Sequence, residues 1–374
     1  MRLAVYTPLN RLKIPSGVPR HIIEVVSGLL CDSTLEVSFV ANEREAADYL
    51  PLAGPLWTGA PRVTFRQPVA SMARRWGLFN RPTFEAMGGN ADWLYLPADA
   101  YMPVRRAKLA VTIHDVYKLE PPVPGEDKFE HYRARLRHWV IYRRVAQGAH
   151  RILAVSEFTA DRIMHHLKVP ASRIEIVYNG ISPAFYKPNP DIWPGMCESL
   201  GLLDGEPFFV YAGGLKPKKN GHGIIAAWKV FETRRSEGRL VVLGQHDEKM
   251  LERAKRELHR ALFPGRLTDE EMAILLNRST GLFFPSFYEG FGIPVVEALA
   301  AGTMLVLSDI PALRELAGDL AFYVNPLDPC CMADVLERCL AAEGERPERL
   351  AAGRKLAGRY TWTDVVRRVR ECFV

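Results

Sequence analysis

Residues 287–309 read FYEGFGIPVVEALAAGTMLVLSD, and this stretch decides the fold. Pro294 suits the first turn of a helix, because its missing N–H would have no intrahelical partner there and its φ is preset. Gly302 suits the place just past a helix end, where positive φ is needed. A helix of about two turns is therefore predicted over 294–301. Ahead of it, Gly290-Phe291-Gly292 lets backbone approach a ligand closely, and a bare turn entering a helix N-terminus attracts phosphate. Two carboxylates bracket the turn, Glu289 before it and Glu297 inside the helix. Glu297 stands among Val295, Val296, Ala298 and Leu299, where a buried charge needs a partner.

Outward from this stretch, the pattern of strand, turn and helix repeats. Strands are predicted at 208–212, 240–243, 281–285, 303–307 and 320–324, with helices between them. The chain after 324 reads as helical to its end. The first half has strands predicted at 3–8, 35–41, 63–66, 93–97, 108–113, 151–155 and 174–178. Its first strand is followed by a loop, Leu9 to Arg20, and then by a helix over 21–30. Between the halves, residues 182–205 contain Pro183, Pro188, Pro190 and Pro194, the composition of a domain boundary. The fold class is α/β: two doubly wound domains, expected over 1–190 and 191–357.

A chain of 374 residues is long enough for two cores, and 48% apolar with 25% charged residues is ordinary for a globular protein. No run of about 18 apolar residues points to a membrane span, and the N-terminus lacks the pattern of a signal peptide. The six cysteines have no metal-ligand spacing and are expected to be reduced thiols of a cytoplasmic protein. Charge is uneven: residues 1–190 hold 25 Lys/Arg against 17 Asp/Glu, a balance of +8, and residues 191–374 hold 24 against 26, or −2. A basic half suits an anionic partner such as a membrane surface, a lipid phosphate or nucleic acid, or simply solubility. Two segments sharpen this choice. Residues 68–90 carry Met72, Trp76, Phe79 and Phe84 with Arg74, Arg75 and Arg81, which reads as a core helix with a basic face or as a lipid-touching surface. Residues 128–144 form a helix with Arg133, Arg135, Arg137, Arg143 and Arg144, either an exposed basic helix or a membrane or substrate contact.

Two further constellations bear chemistry. Strand 208–212 runs into Gly213-Gly214-Leu215-Lys216-Pro217-Lys218-Lys219-Asn220-Gly221, three lysines within four residues ahead of a helix. This is a diphosphate clamp or an exposed basic turn, and the second glycine turn in the same domain favours the clamp. Neither a Walker A loop nor a GxGxxG fingerprint is present. In the first half, strand 108–113 ends in His114-Asp115, at the strand end where α/β sheets bind ligands.

Taken together, VTIHD (111–115), AVSEFTADRI (154–163), VYNGISPAF (177–185), YAGGLKPKKN (211–220), TDEEMAILLNRS (268–279) and the E-x7-E pair Glu289 and Glu297 resemble, in order and spacing, the retaining family 4 glycosyltransferases. Essentially the whole chain is covered. The resemblance implies the GT-B fold, two Rossmann-like domains facing across a cleft, with acceptor on the first and nucleotide-diphosphate sugar on the second. It implies that the C-terminal helix, 358–374, returns to the first domain and that 182–205 serves as hinge.

Carried over residue by residue, the resemblance gives Glu289 to the donor sugar and Glu297 to the ribose. Gly290, Phe291, Gly292 and Ile293 would offer backbone to sugar and phosphates, Lys219 would neutralise the diphosphate, and Leu267 would border the base. His114 would stand near the anomeric carbon, with Asp115 and Gly17, Val18 and Arg20 on the acceptor side. Gly213 and Gly214 would approach the phosphates. At Gly214 the chain departs from the family, many of whose members have a phosphate-clamping arginine there; Lys218 is the candidate replacement.

The implied activity is retaining transfer of a hexosyl unit to a hydroxyl of a glycan or lipid-linked acceptor in cell-surface polysaccharide assembly, without a metal ion or other cofactor. By analogy with the subgroup sharing IHD and PKKN, the sugar is mannose-like and the nucleotide GDP; a UDP-sugar is the alternative. The partners expected are the nucleotide sugar, the acceptor and, peripherally, the inner face of a membrane, but no nucleic acid. A nucleotide-sugar epimerase, a sugar phosphorylase and a noncatalytic binding subunit share the architecture. A glycosidase is disfavoured, because the two glutamates bracket a phosphate-binding turn rather than a scissile bond.

Overall fold

The computed structural model describes residues 1–13, 17–203 and 205–373. The chain divides into two compact units. The first comprises Met1–Pro121, Lys128–Gly180 and Trp362–Val374, and the second Pro122–Asp127 and Ile181–Thr361. Each is a parallel sheet covered by helices.

The first unit has seven strands: β1 (Arg2–Tyr6), β2 (Glu36–Asn42), β3 (Arg62–Phe65), β4 (Trp93–Leu96), β5 (Lys108–Ile113), β6 (Arg151–Ala154) and β7 (Ile174–Ile176). Their order is β3-β2-β1-β4-β5-β6-β7. Alternation along β1 builds both cores: Leu3 and Val5 join one apolar cluster, Ala4 and Tyr6 the other. A sheet buried on both faces reads as a near-continuous apolar run, which is why these strands were legible. The C-terminal helix Trp362–Glu371 belongs to this unit and lies on the helix Gly17–Leu30, where a Cβ on Gly28 would come within 2.5 Å of Val366.

The second unit has six strands: β8 (Phe208–Ala212), β9 (Arg239–Leu243), β10 (Ala261–Leu262), β11 (Gly281–Phe284), β12 (Leu305–Ser308) and β13 (Ala321–Val324). Their order is β10-β9-β8-β11-β12-β13. The order reverses between β8 and β11, so the loops after these two strands flank the switch point, where open α/β sheets bind ligands.

Several expectations need correction. The first helix begins at Gly17, not His21, because proline is tolerated in a helix's first turn and Pro19 is buried there. Gly17, Val18 and Arg20 therefore stand on helix rather than loop; Ser16, in the expected loop, lies outside the described residues. The segment 68–90 is not one helix: Val69–Phe79 ends at Asn80, in left-handed conformation at φ 56°. Residues 182–205 are not a bare linker, since they hold the helix Trp193–Leu200 and a buried Phe185. The division falls at Gly180/Ile181 rather than 190, because Ile181 bridges Thr361 and its N–H donates to the Tyr360 carbonyl over 3.1 Å. Among the described residues no helix is long and apolar enough to cross a membrane.

Candidate active site

In the second unit the lysine loop and the glycine-phenylalanine-glycine turn lie side by side, because they leave neighbouring strands. The Phe287 N–H donates to the Lys218 carbonyl at 3.1 Å and joins their backbones. Across this seam the Lys219 ammonium donates to both oxygens of Glu289, at 2.5 and 2.7 Å. Glu289 is only 6% exposed, so its charge is tolerated there through this partner. Lys219 Nζ also stands 5.1 Å above the Phe284 ring, and Lys218 Nζ 5.2 Å above that of Tyr288. Beneath the loop, the Tyr211 hydroxyl donates to the carbonyls of Gly214 and Lys219, at 2.7 and 3.2 Å. Burial, and then the Glu289 charge, push its phenol well above the usual range, so it stays a donor.

Gly214 explains the missing arginine. Its φ is +71°, and a Cβ there would lie 1.9 Å from the Gln245 carbonyl oxygen. No side chain fits on this backbone. Gly213 and Gly214 both donate their N–H to the Leu243 carbonyl, at 3.2 and 2.9 Å.

The predicted helix is Ile293–Ala301, capped by Gly292 at φ 118° and Gly302 at φ 75°. Its N-terminus opens on the turn that carries Glu289. The Phe291 ring is buried against Tyr360, with centroids 5.8 Å apart. Glu297 is 6% exposed on the same helix. Leu267 is half-buried in the turn before helix Asp269–Arg278, whose Thr268 and Glu271 form a capping box.

In the first unit His114 follows β5 and is held at the end of β4. Its N–H donates to Asp99 over 3.2 Å, and its Nε2 lies 3.0 Å from the Pro97 carbonyl. A carbonyl only accepts, so Nε2 carries the proton. The His114 ring meets His21 edge to face at 4.7 Å. The Asp115 carboxylate accepts from the Tyr117 N–H at 2.9 Å, a local Asx turn.

His21 itself escaped sequence reading, as did its partner Asn179, whose side-chain oxygen lies 2.8 Å from His21 Nδ1. The segment VYNGISPAF (177–185) marked that region without giving Asn179 a role. Nε2 of His21 is buried without a hydrogen-bond partner among the described residues. Burial first, and then the neighbouring His114, hold its pKa well below 6.5. A base with a depressed folded pKa binds fewer protons folded than unfolded, so the stability it confers is present above about pH 6.5 and is lost as pH falls below it. Denaturant midpoints should therefore drop between about pH 7.5 and pH 5.5, with His21 contributing about 1 kcal/mol. A His21→Leu chain should show a flatter slope even if less stable, and an unchanged slope would remove His21 from this role.

Two family models match the chain: Glycosyltransferase Family 4 over residues 15–185, and Glycosyl transferases group 1 over residues 197–355. A similar curated protein is the O-antigen chain mannosyltransferase B of Escherichia coli, 26% identical over 80% of this chain and 78% of its own length. The O-antigen chain mannosyltransferase RfbU of Salmonella typhimurium is 30% identical over 47% of each chain. Among solved structures, Anabaena HepE in complex with UDP and glucose superposes with TM-score 0.73 at 17% identity, covering 99% of this chain and 98% of its own. Two doubly wound parallel sheets, a ligand-ready switch point in the second, and matches that run through both units identify the chain as a family 4 glycosyltransferase of GT-B type.

Proposed function

We propose that the chain transfers a mannose-like hexosyl unit from a GDP-sugar to a hydroxyl of a glycan or lipid-linked oligosaccharide, retaining the anomeric configuration. The observation that carries this is the Lys219–Glu289 pair at the switch point of the second unit, beside the N-terminus of helix Ile293–Ala301. An ammonium has three N–H donors and Glu289 takes two, so the third can turn to a diphosphate oxygen without breaking the pair. The carboxylate keeps acceptor capacity for sugar hydroxyls. Backbone at Gly290–Ile293 faces the phosphates, with Lys218 as the second cation; Gly213 and Gly214, whose N–H groups are spent on the Leu243 carbonyl, serve by leaving room for the phosphates to approach. Glu297 accepts from the ribose, and Leu267 borders the base.

The first unit binds the acceptor through the segment around Gly17, Val18, Arg20 and Asp115, and His114 steadies charge at the reacting carbon. Lysine and helix dipole supply the positive charge at the leaving group, so no metal is required. The leaving phosphate itself takes the acceptor proton. The mannose preference is supported by the two O-antigen mannosyltransferases to which the chain is similar. HepE, solved with UDP and glucose, favours a UDP-sugar as the second reading.

Incubation with GDP-mannose and lipid-linked glycans extracted from membranes tests this. Nucleotide diphosphate should appear only when acceptor is present, chelator should not slow it, and NMR of the product should show the donor's anomeric configuration. Epimerised donor without acceptor would overturn the transferase reading.

A further inference from the structure

The helix Lys128–Gly148 is apolar on the side that faces water. Its His131, Ala134, Tyr142 and Val145 are buried. At about 100° per residue the opposite side is reached by residues 129, 132, 136 and 139. These are Phe129, Tyr132, Leu136 and Trp139, which are 71, 52, 66 and 43% exposed. The helix Val69–Phe79 extends the patch with Leu78 and Phe79, both exposed. Its end is fixed beside the stripe: Arg144 donates to the Gly77 and Leu78 carbonyls at 2.8 and 2.9 Å, and a Cβ on Gly77 would lie 3.1 Å from Val140.

Cations frame this patch. Lys128–Gly148 carries Lys128 and Arg133, Arg135, Arg137, Arg143 and Arg144 against a single acid, Glu130, which Arg133 already engages at 2.6 Å. Val69–Phe79 has two arginines and no acid. The Arg133 and Arg143 guanidinium groups lie over the rings of Phe129 and Trp139, at 5.7 and 5.2 Å. A second copy of this chain would bring the same arginines against themselves. An anionic bilayer offers what both features need, an apolar boundary beneath a layer of phosphates.

We propose that this face of the first unit docks on an anionic lipid bilayer, its aromatic and leucine side chains entering the headgroup boundary and its arginines meeting lipid phosphates. The inference goes beyond the transfer reaction and does not depend on the donor.

The test is sedimentation of the purified full chain with vesicles of phosphatidylcholine alone, or with about a third phosphatidylglycerol. Binding is expected only to the anionic vesicles, weakening as salt rises. The double variants Phe79→Ser/Leu136→Ser and Arg135→Gln/Arg137→Gln each change exposed residues and should fold normally; each should require roughly tenfold more lipid for half-binding. No sedimentation of the wild type, or variants that bind like it, overturns the proposal. A dimer in ultracentrifugation that Phe79→Ser/Leu136→Ser dissolves would assign the face to a second copy and overturn it too. None of these readouts uses turnover, so failure of the transfer reading leaves them interpretable.

Discussion

Replacing Lys219 with methionine is expected to lower kcat/KM by about 10²–10³-fold, the cost of removing one preorganised charge from a transition state. The same change should destabilise the fold. It leaves Glu289, 6% exposed, without the ammonium that pairs with it. Breaking a fully buried pair costs about 3–5 kcal/mol; with Lys219 partly open to water, about 2–3 kcal/mol is expected by denaturant titration. The double variant Lys219→Met/Glu289→Gln separates the two effects. It removes both charges, so most of the stability should return while turnover stays lost. Turnover that returns with stability would reduce the pair to a structural bridge.

Restoring the family's arginine at position 214 should do harm. Gly214→Arg is expected to cost about 4 kcal/mol or more, or to prevent folding, since overpacking and backbone strain add. The clash is with backbone, the Gln245 carbonyl 1.9 Å from the would-be Cβ, so no rotamer relieves it. Gly214→Ala carries the same Cβ and should share most of the loss, measured as the drop in denaturation midpoint. A stable, more active Gly214→Arg chain would mean that the loop has a second conformation and that Lys218 is not the substitute cation.

The legible parts of this chain were those with local causes. Pro294 and Gly302 punctuate the helix Ile293–Ala301, and its start moved by a single residue. Fully buried parallel strands announce themselves as apolar runs. Misreadings arose where local signals compete. The expected loop ran through Pro19 to Arg20, but a helix's first turn accommodates proline, and the helix starts at Gly17. The helix Glu43–Ala53 contains Pro51 and escaped notice, and β10, at two residues, is too short to have a period. Pairings across long separations were beyond reach. Lys219 and Glu289 stand 70 residues apart, and His21 and Asn179 158. Each was read singly, as a loop cation, a sugar ligand, a helix start or one letter of the segment 177–185. Only the fold makes them pairs. The crowding at Gly214 was likewise hidden, because its neighbour Gln245 follows a different strand.

The second unit is expected to hold a nucleotide-diphosphate sugar between the lysine loop and the turn that carries Glu289. Calorimetric titration of GDP-mannose and UDP-glucose into the wild type, Lys219→Met and Glu297→Gln tests it most directly. The wild type should bind both, GDP-mannose more tightly, and each substitution should weaken binding about tenfold or more, as expected for a lost charge-assisted hydrogen bond. Equal affinity in all three chains, or no binding of either sugar nucleotide to the wild type, would contradict it.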